Sequence, residues 1–126
     1  MSVGYIADAC ALIPFLARHP MPRAVVEIMQ NAEAAVSPVT VWEITRKAAL
    51  GLLPITWSEA GLAAHLRAEG FPPLPLTWDD AEAANLLPPH HKDPMDRMLI
   101  AQARLRGLTI LTSDRIFSAY DVRVLW

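Results

Sequence analysis

The chain has 126 residues, 53% of them hydrophobic and 19% charged, with a formal net charge of −2. That length suits a single domain, residues 1–126, with a core of its own, and the apolar content excludes a disordered chain. The charge argues against broad non-specific binding to nucleic acid, though not against a local basic rim, and the apolar runs are too short to span a bilayer.

The opening stretch MSVGYIADACALIPFLARHP has no basic leader and contains Asp8, which argues against a signal peptide. The one cysteine, Cys10, excludes an internal disulfide and suits a reducing cytoplasm. VGYIAD reads as a short buried strand ending at Asp8, followed by a helix over ACALIPFLARHP that Pro14 interrupts and Pro20 stops. Pro22 to Ala32 reads as a helix with Val25, Ile28 and Met29 on one face. A second strand is predicted around Ala35–Ser37. A helix over VTVWEITRKAALG follows, with Val39, Trp42 and Ala49 at helical spacing and Gly51 at its end. SEAGLAAHLRAEG is a helix with Ser58 as its N-cap and Gly70 as its terminator. A brief extended piece near Leu74–Leu76 precedes a helix beginning near Asp79. PMDRMLIAQARLRG is a helix stopped by Gly107, LTILTSD a strand closing on Asp114, and VRVLW a last strand. Strands that are apolar throughout and alternate with helices predict an α/β fold with a mostly parallel sheet of four to five strands. In such a fold ligands sit beyond the carboxyl ends of the strands.

The acids fall where that edge is. Asp8 and Asp114 close strands, the latter the fourth in this count. Glu43 lies early on the helix after the second strand, and Asp96 in the first turn of the helix before the Asp114 strand. Asp93 and Asp96 have an alternative explanation in helix-start chemistry, with Asp93 as N-cap, Pro94 at the first helical position and Asp96 where negative charge suits the helix dipole. Two unit charges ~4 Å apart repel by about 4 kcal/mol at an effective dielectric of 20, so a fold that gathers four carboxylates implies a cation. Oxygen ligands select a hard ion, Mg²⁺ or Mn²⁺, and such a site activates water against a phosphodiester. Thr112 and Ser113, beside Asp114, could hold a water or a phosphate oxygen, or simply shape a turn.

YIADAC, VWEITRKAALG, HHKDPMDRMLIAQA and LTILTSDRIFSAYDVRVLW resemble the successive acidic motifs of PIN-domain ribonucleases, in particular the VapC toxins of VapB–VapC pairs. The resemblance covers nearly the whole chain, in order. It implies a three-layer α/β/α sandwich and a Mg²⁺- or Mn²⁺-dependent endoribonuclease silenced by a cognate antitoxin, and it carries the metal-binding acids to Asp8, Glu43, Asp96 and Asp114. Asp93 matches a frequent extra acid with a supporting role, kept here as a cap that also orients the site. Two departures stand out: Ala9 replaces the usual Ser or Thr after the first acid, and Met95 replaces a common aromatic residue. The family also implies a homodimer and an antitoxin segment lying in an apolar groove near the site; the helix Pro22–Ala32 and the region Ala11–Leu16 could supply its anchors.

Other residues read more plainly. His90 and His91 have no partner at zinc spacing and are taken as loop residues. Arg46, Lys47, Lys92, Arg97 and Arg115 neighbour the acids and could form a rim for the RNA backbone, or be solvated surface. Trp42, Phe15 and Phe117 are assigned to the core, and Asp80, with the other scattered acids, to helix starts and outer faces. Three rivals are set against the nuclease, of which a phosphatase with an aspartyl nucleophile wants D-x-D after the first strand, where Asp8-Ala9-Cys10 lacks the second Asp. A phosphoacceptor receiver domain needs an acidic pair after the first strand and a late lysine, where Asp8 stands alone and LTILTSD has no lysine. A degenerate PIN scaffold that only binds protein would have no reason to keep four acids.

Overall fold

The structure, a computed structural model, describes residues 3–126. In chain order it runs β1 (Tyr5–Ala7), α1 (Ala9–Leu16), α2 (Arg23–Gln30), β2 (Ala34–Ala35), α3 (Pro38–Ala49), α4 (Leu62–Ala68), α5 (Trp78–Asn85), α6 (Pro94–Arg106), β3 (Thr109–Leu111), a 3₁₀ turn (Arg115–Ala119) and β4 (Val124–Leu125). The four strands form one parallel sheet in the order β2-β1-β3-β4. Among the described residues, no helix is long and apolar enough to cross a membrane.

The layering follows from the two-residue period of a strand. Ala7 and Leu111 face one way and join Leu12, Val25, Ile44, Leu66 and Phe71 in a core beneath α1 to α4. Their neighbours Ile6 and Ile110 face the other way, against Leu99, Ile100, Ala103 and Phe117. Both faces are covered, which gives the α/β/α sandwich and explains why the strands are apolar throughout.

The helix starts are set by short polar side chains that also shape the ligand edge. Asp8 caps α1, Ser37 caps α3 through the Val39 amide (3.2 Å), and Asp93 caps α6 through the amides of Met95 (2.8 Å) and Asp96 (3.3 Å). Pro38 and Pro94 occupy first-turn positions, where a missing N–H costs nothing. Gly107 closes α6 in the left-handed conformation, φ +66°.

Four details differ from the sequence reading. Pro14 lies inside α1 rather than interrupting it; the carbonyl it leaves without a partner belongs to exposed Cys10, where water can reach. Ser37 belongs to the cap of α3, so β2 ends at Ala35. Ser58 caps only a turn, through the Ala60 amide, and α4 begins after Gly61, whose φ of +103° breaks any earlier helix. The extended piece near Leu74–Leu76 supplies one bridge, Val36 to Pro73, and no strand. Pro72, Pro73 and Pro75 have no N–H with which to continue a ladder. Asp114 therefore follows the third strand, not the fourth.

Candidate active site

Asp8 leaves the end of β1 as the cap of α1. Its Oδ2 accepts from the Cys10 amide at 3.4 Å and from the Thr112 hydroxyl at 2.8 Å. The same Thr112 hydroxyl accepts from the Asp114 amide at 3.0 Å, so one side chain at the end of β3 places two acids. Asp114 in turn caps the 3₁₀ turn through the Ile116 amide at 3.1 Å. Glu43 stands on the second turn of α3 and pairs with Lys47 at 3.1 Å. Asp96, in the first turn of α6, has its Oδ2 2.7 Å from His91 Nε2. Asp8, Glu43, Asp93, Asp96 and Asp114 all line one cleft of about 420 Å³, with Cys10, Trp42, Arg46, Lys47 and His91 among the other walls.

The carboxylates are not packed into one tight knot. Among the described residues, the trio of possible ligand atoms lying within 4.8 Å of one another is His91, Asp93 and Asp96, which includes one of the four predicted metal-binding acids. His91 is the residue the sequence reading missed. It sits five positions before Asp96 in HHKDPMD, and the turn into α6 brings its ring back over the helix start.

Charge makes this cleft unlike the rest of the molecule. Asp80 is fully buried (0% exposed) and is held by Arg106 through two oxygens, at 2.7 and 2.9 Å. Burial pushes its carboxyl up, but the Arg106 bond and the Thr77 cap outweigh it and leave the group below its usual range. Asp8 is nearly as buried (2% exposed) and meets a hydroxyl, amides and the Cys10 thiol but, among the described residues, no cation partner in hydrogen-bond contact, so burial leaves its carboxyl raised despite those bonds. Asp96 (9% exposed) is raised to about 6. Burial is the main cause, the His91 bond opposes it, and the charges of Asp8, Asp93 and Glu43 add to it. Burial and then the charge of Asp8 push the Cys10 thiol up to about 12, so it stays protonated and offers no thiolate. The remaining donors are oxygens and one imidazole, a set that fits a hard divalent cation.

Other predicted residues divide. Thr112 is buried in the site, whereas Ser113 is exposed and outside the cleft wall. Arg46 and Lys47 line the cleft; Lys92 and Arg115 are exposed and do not. Arg97 is a correction: its guanidinium donates to the carbonyls of Ala84, Leu87, Pro88 and His91 and to the Tyr120 hydroxyl, which takes it out of any rim. Trp42 is another, for it is 51% exposed at the cleft, with Arg46 5.4 Å over its ring, while Phe117 is buried as expected. Asp80 opens a helix as expected, in the first turn of α5, but it is buried against Arg106 rather than exposed.

The PIN domain family model matches residues 5–123. The chain belongs to the PIN-domain family. That match sets aside the receiver-domain reading. No curated protein matches the sequence. Among solved structures, the PIN fold of this chain is similar to VapBC2 from Rickettsia felis bound to a promoter DNA fragment (12% identity, TM-score 0.72, covering 100% of this chain and 99% of the other). It is also similar to DNA-bound VapBC from Salmonella typhimurium (18%, 0.70, 98% and 97%) and to a toxin–antitoxin complex from Klebsiella pneumoniae (17%, 0.66, 97% and 96%). At these identities the likeness is one of fold. PIN domains are generally nucleases, and the cleft at the carboxyl edge of this sheet is where such chemistry belongs.

Proposed function

We propose that this PIN-domain chain is a Mg²⁺- or Mn²⁺-dependent endoribonuclease, working as one unit over residues 1–126 in the cytoplasm as the toxin of a toxin–antitoxin pair. The observation that carries the reading is the contrast between two kinds of buried aspartate. Asp80 has its cation in Arg106, whereas Asp8 and Asp96 line one cleft and, among the described residues, no arginine or lysine is bonded to either. A buried carboxylate without a counter-charge is costly, and a bound cation is the simplest relief.

Asp8, Glu43, Asp96 and Asp114 would hold that cation, with Asp93 as the supporting cap. Bound there, it lowers the pKa of a water and offsets charge on a phosphoryl oxygen. The chain's own side chains do the rest. Thr112 fixes Asp8 and Asp114 relative to each other. Arg46 and Lys47 offer positive charge to the RNA backbone, and Glu43, paired with Lys47, would lend a carboxylate to the cation. Trp42, half exposed beside Arg46, presents a face on which an unpaired base stacks.

The family resemblance adds a homodimer and an antitoxin partner. Ala11, Leu12, Val25 and Met29 are core residues and cannot serve as free anchors, although Phe15, Leu16 and Val26 edge a cavity of their own. A more apolar groove of about 420 Å³ runs between α3 and α4 past Val36, Val41, Leu66 and Phe71, and it shares Trp42 with the cleft. A segment seated there would reach the acids, which suits inhibition by an apolar peptide.

The test is RNA cleavage by EDTA-stripped protein. Mg²⁺ or Mn²⁺ should restore it without any requirement for Zn²⁺, and Asp8→Asn or Asp96→Asn should lower it by orders of magnitude with the fold intact. Cleavage that survives exhaustive chelation would sink the metal mechanism, and a protein that binds no Mn²⁺ would be a scaffold. Co-expression with the neighbouring upstream reading frame tests the toxin assignment, because toxicity should disappear.

A further inference from the structure

His91 is not among the four acids, yet it makes the closest side-chain contact to one of them. Its Nε2 lies 2.7 Å from Asp96 Oδ2. It reaches that point from a loop, and the loop is pinned on both sides of the residue. The His91 amide donates to the Tyr120 hydroxyl at 2.8 Å, and its carbonyl accepts from Arg97 Nη1 at 3.1 Å. Arg97 also donates to that hydroxyl at 3.3 Å, so the two anchors are joined. The same guanidinium holds the carbonyls of Pro88, Ala84 and Leu87 at 2.9, 2.8 and 2.9 Å, which fastens the end of α5 and the following loop to α6. Next to His91, the His90 ring packs edge-on against Tyr120, with centroids 5.1 Å apart. Arg97 directly follows Asp96, so the loop is tied to the very turn that carries the carboxylate.

Carboxylates that bind a cation are commonly held by a second hydrogen-bonded group, and losing that group weakens the site without removing a ligand. We propose that His91 is a positioning residue for Asp96: its Nε2–H donates to Oδ2 and leaves Oδ1 for the cation, while Tyr120 and Arg97 hold His91 in place through its backbone. The inference rests on the metal-dependent reading above. It also accounts for Arg97, whose position beside the acid suggested RNA contact but whose two Nη groups bond to the chain.

The experiment compares wild type, His91→Ala, His91→Gln, Tyr120→Phe and Asp8→Asn by Mn²⁺ affinity, by kcat and KM for RNA cleavage, and by melting in EDTA. His91→Ala should weaken Mn²⁺ binding by about tenfold to a hundredfold and lower kcat more than it raises KM. His91→Gln should recover most of the loss, because the glutamine amide N–H reaches the place of Nε2. Tyr120→Phe deletes one oxygen and should fall between wild type and His91→Ala. Pulsed electron paramagnetic resonance of the bound Mn²⁺ should show no directly coordinated histidine nitrogen. Such a nitrogen coupling would make His91 a ligand and overturn the proposal, as would wild-type Mn²⁺ affinity in His91→Ala or a His91→Gln no better than His91→Ala. Wild-type affinity in Tyr120→Phe would remove the backbone anchor. If Asp8→Asn loses Mn²⁺ while the His91 variants keep it, this inference fails alone; if Asp8→Asn also binds as wild type, the reading of the site fails with it.

Discussion

Asp8, the cap of α1, and Asp80, the third residue of α5 and part of its capping box, are both buried at helix starts, and their surroundings set opposite signs for their removal. Asp8→Asn keeps an oxygen to cap α1 and to accept from Thr112, while deleting a charge that, among the described residues, no arginine or lysine bonds. It should stabilise the metal-free protein by about 1 kcal/mol and abolish cleavage, a trade expected where a site is kept for chemistry. Asp80→Asn strands Arg106 and should destabilise by about 3 kcal/mol. Urea unfolding of both variants in EDTA measures the two signs, and a less stable Asp8→Asn would mean the carboxylate is not held against its own charge. Asp96 adds a pH dependence. Its carboxyl is raised from 3.8 to about 6, so between those values the folded protein holds a proton that the unfolded chain has released. The sign is therefore a loss of stability as pH climbs through that window, amounting to about 3 kcal/mol at most for this group. Wild type minus Asp96→Asn, measured in EDTA from pH 4 to pH 7, should show that slope; an equal slope in both proteins would locate the titration elsewhere.

At the scale of elements, the clearest signals in the sequence were those that act locally. The Asp93–Pro94 start and Gly107 end of α6 follow from backbone chemistry within a few residues, and both are present. Gly107 occupies φ +66° with open space around it, so Gly107→Ala meets no clash and pays only for the backbone conformation. A loss of about 1 kcal/mol with unchanged cleavage is expected, from thermal melts and RNA assays run together. What the sequence did not disclose depends on contacts between elements. Asp80 reads as an ordinary helix-start acid until α6 brings Arg106 over it, 26 residues later in the chain. Trp42 reads as core by its helical spacing, yet α3 turns it toward the cleft. The proline-rich piece after Gly70 reads as a strand by apolarity alone, and only a count of missing N–H donors shows why it pairs at a single point. His91 belongs to the same class: nothing at ligand spacing marks it, and only the turn between loop and helix sets it on Asp96. That the four acids share one edge was legible because Asp8 and Asp114 end strands, Glu43 follows one and Asp96 opens the helix that leads into β3, and a parallel sheet gathers such positions. How closely they approach one another was not legible, because that depends on side-chain rotamers and on the cation itself.

For the whole molecule, the proposed cation should act as a folding ligand. Metal bound to the folded protein but not to the unfolded chain stabilises it by RT ln(1 + [L]/Kd), about 2.7 kcal/mol at a hundredfold excess over Kd. In a chain of this size that is a rise in melting temperature of roughly 10 °C. The rise must depend on pH, because the ligating carboxylates bind the cation only without their protons. Asp96 titrates near 6, so at pH 5 a cation must displace its proton, which at pH 8 is already gone; the carboxyl of Asp8 is raised as well and acts in the same direction. The shift produced by a fixed concentration of Mg²⁺ should therefore be large at pH 8 and should shrink markedly at pH 5, whereas Asp8→Asn should show little shift at either pH. The measurement is a set of melts of wild type and Asp8→Asn, with EDTA or Mg²⁺, at the two pH values. General salt effects would raise both proteins alike, and a cation held at the surface by Asp93 alone would leave the Asp8→Asn shift intact. An equal Mg²⁺ shift at both pH values, or an undiminished one in Asp8→Asn, would show that the buried carboxylates of Asp8 and Asp96 do not hold the ion, and the cleft would need another explanation for leaving them uncompensated.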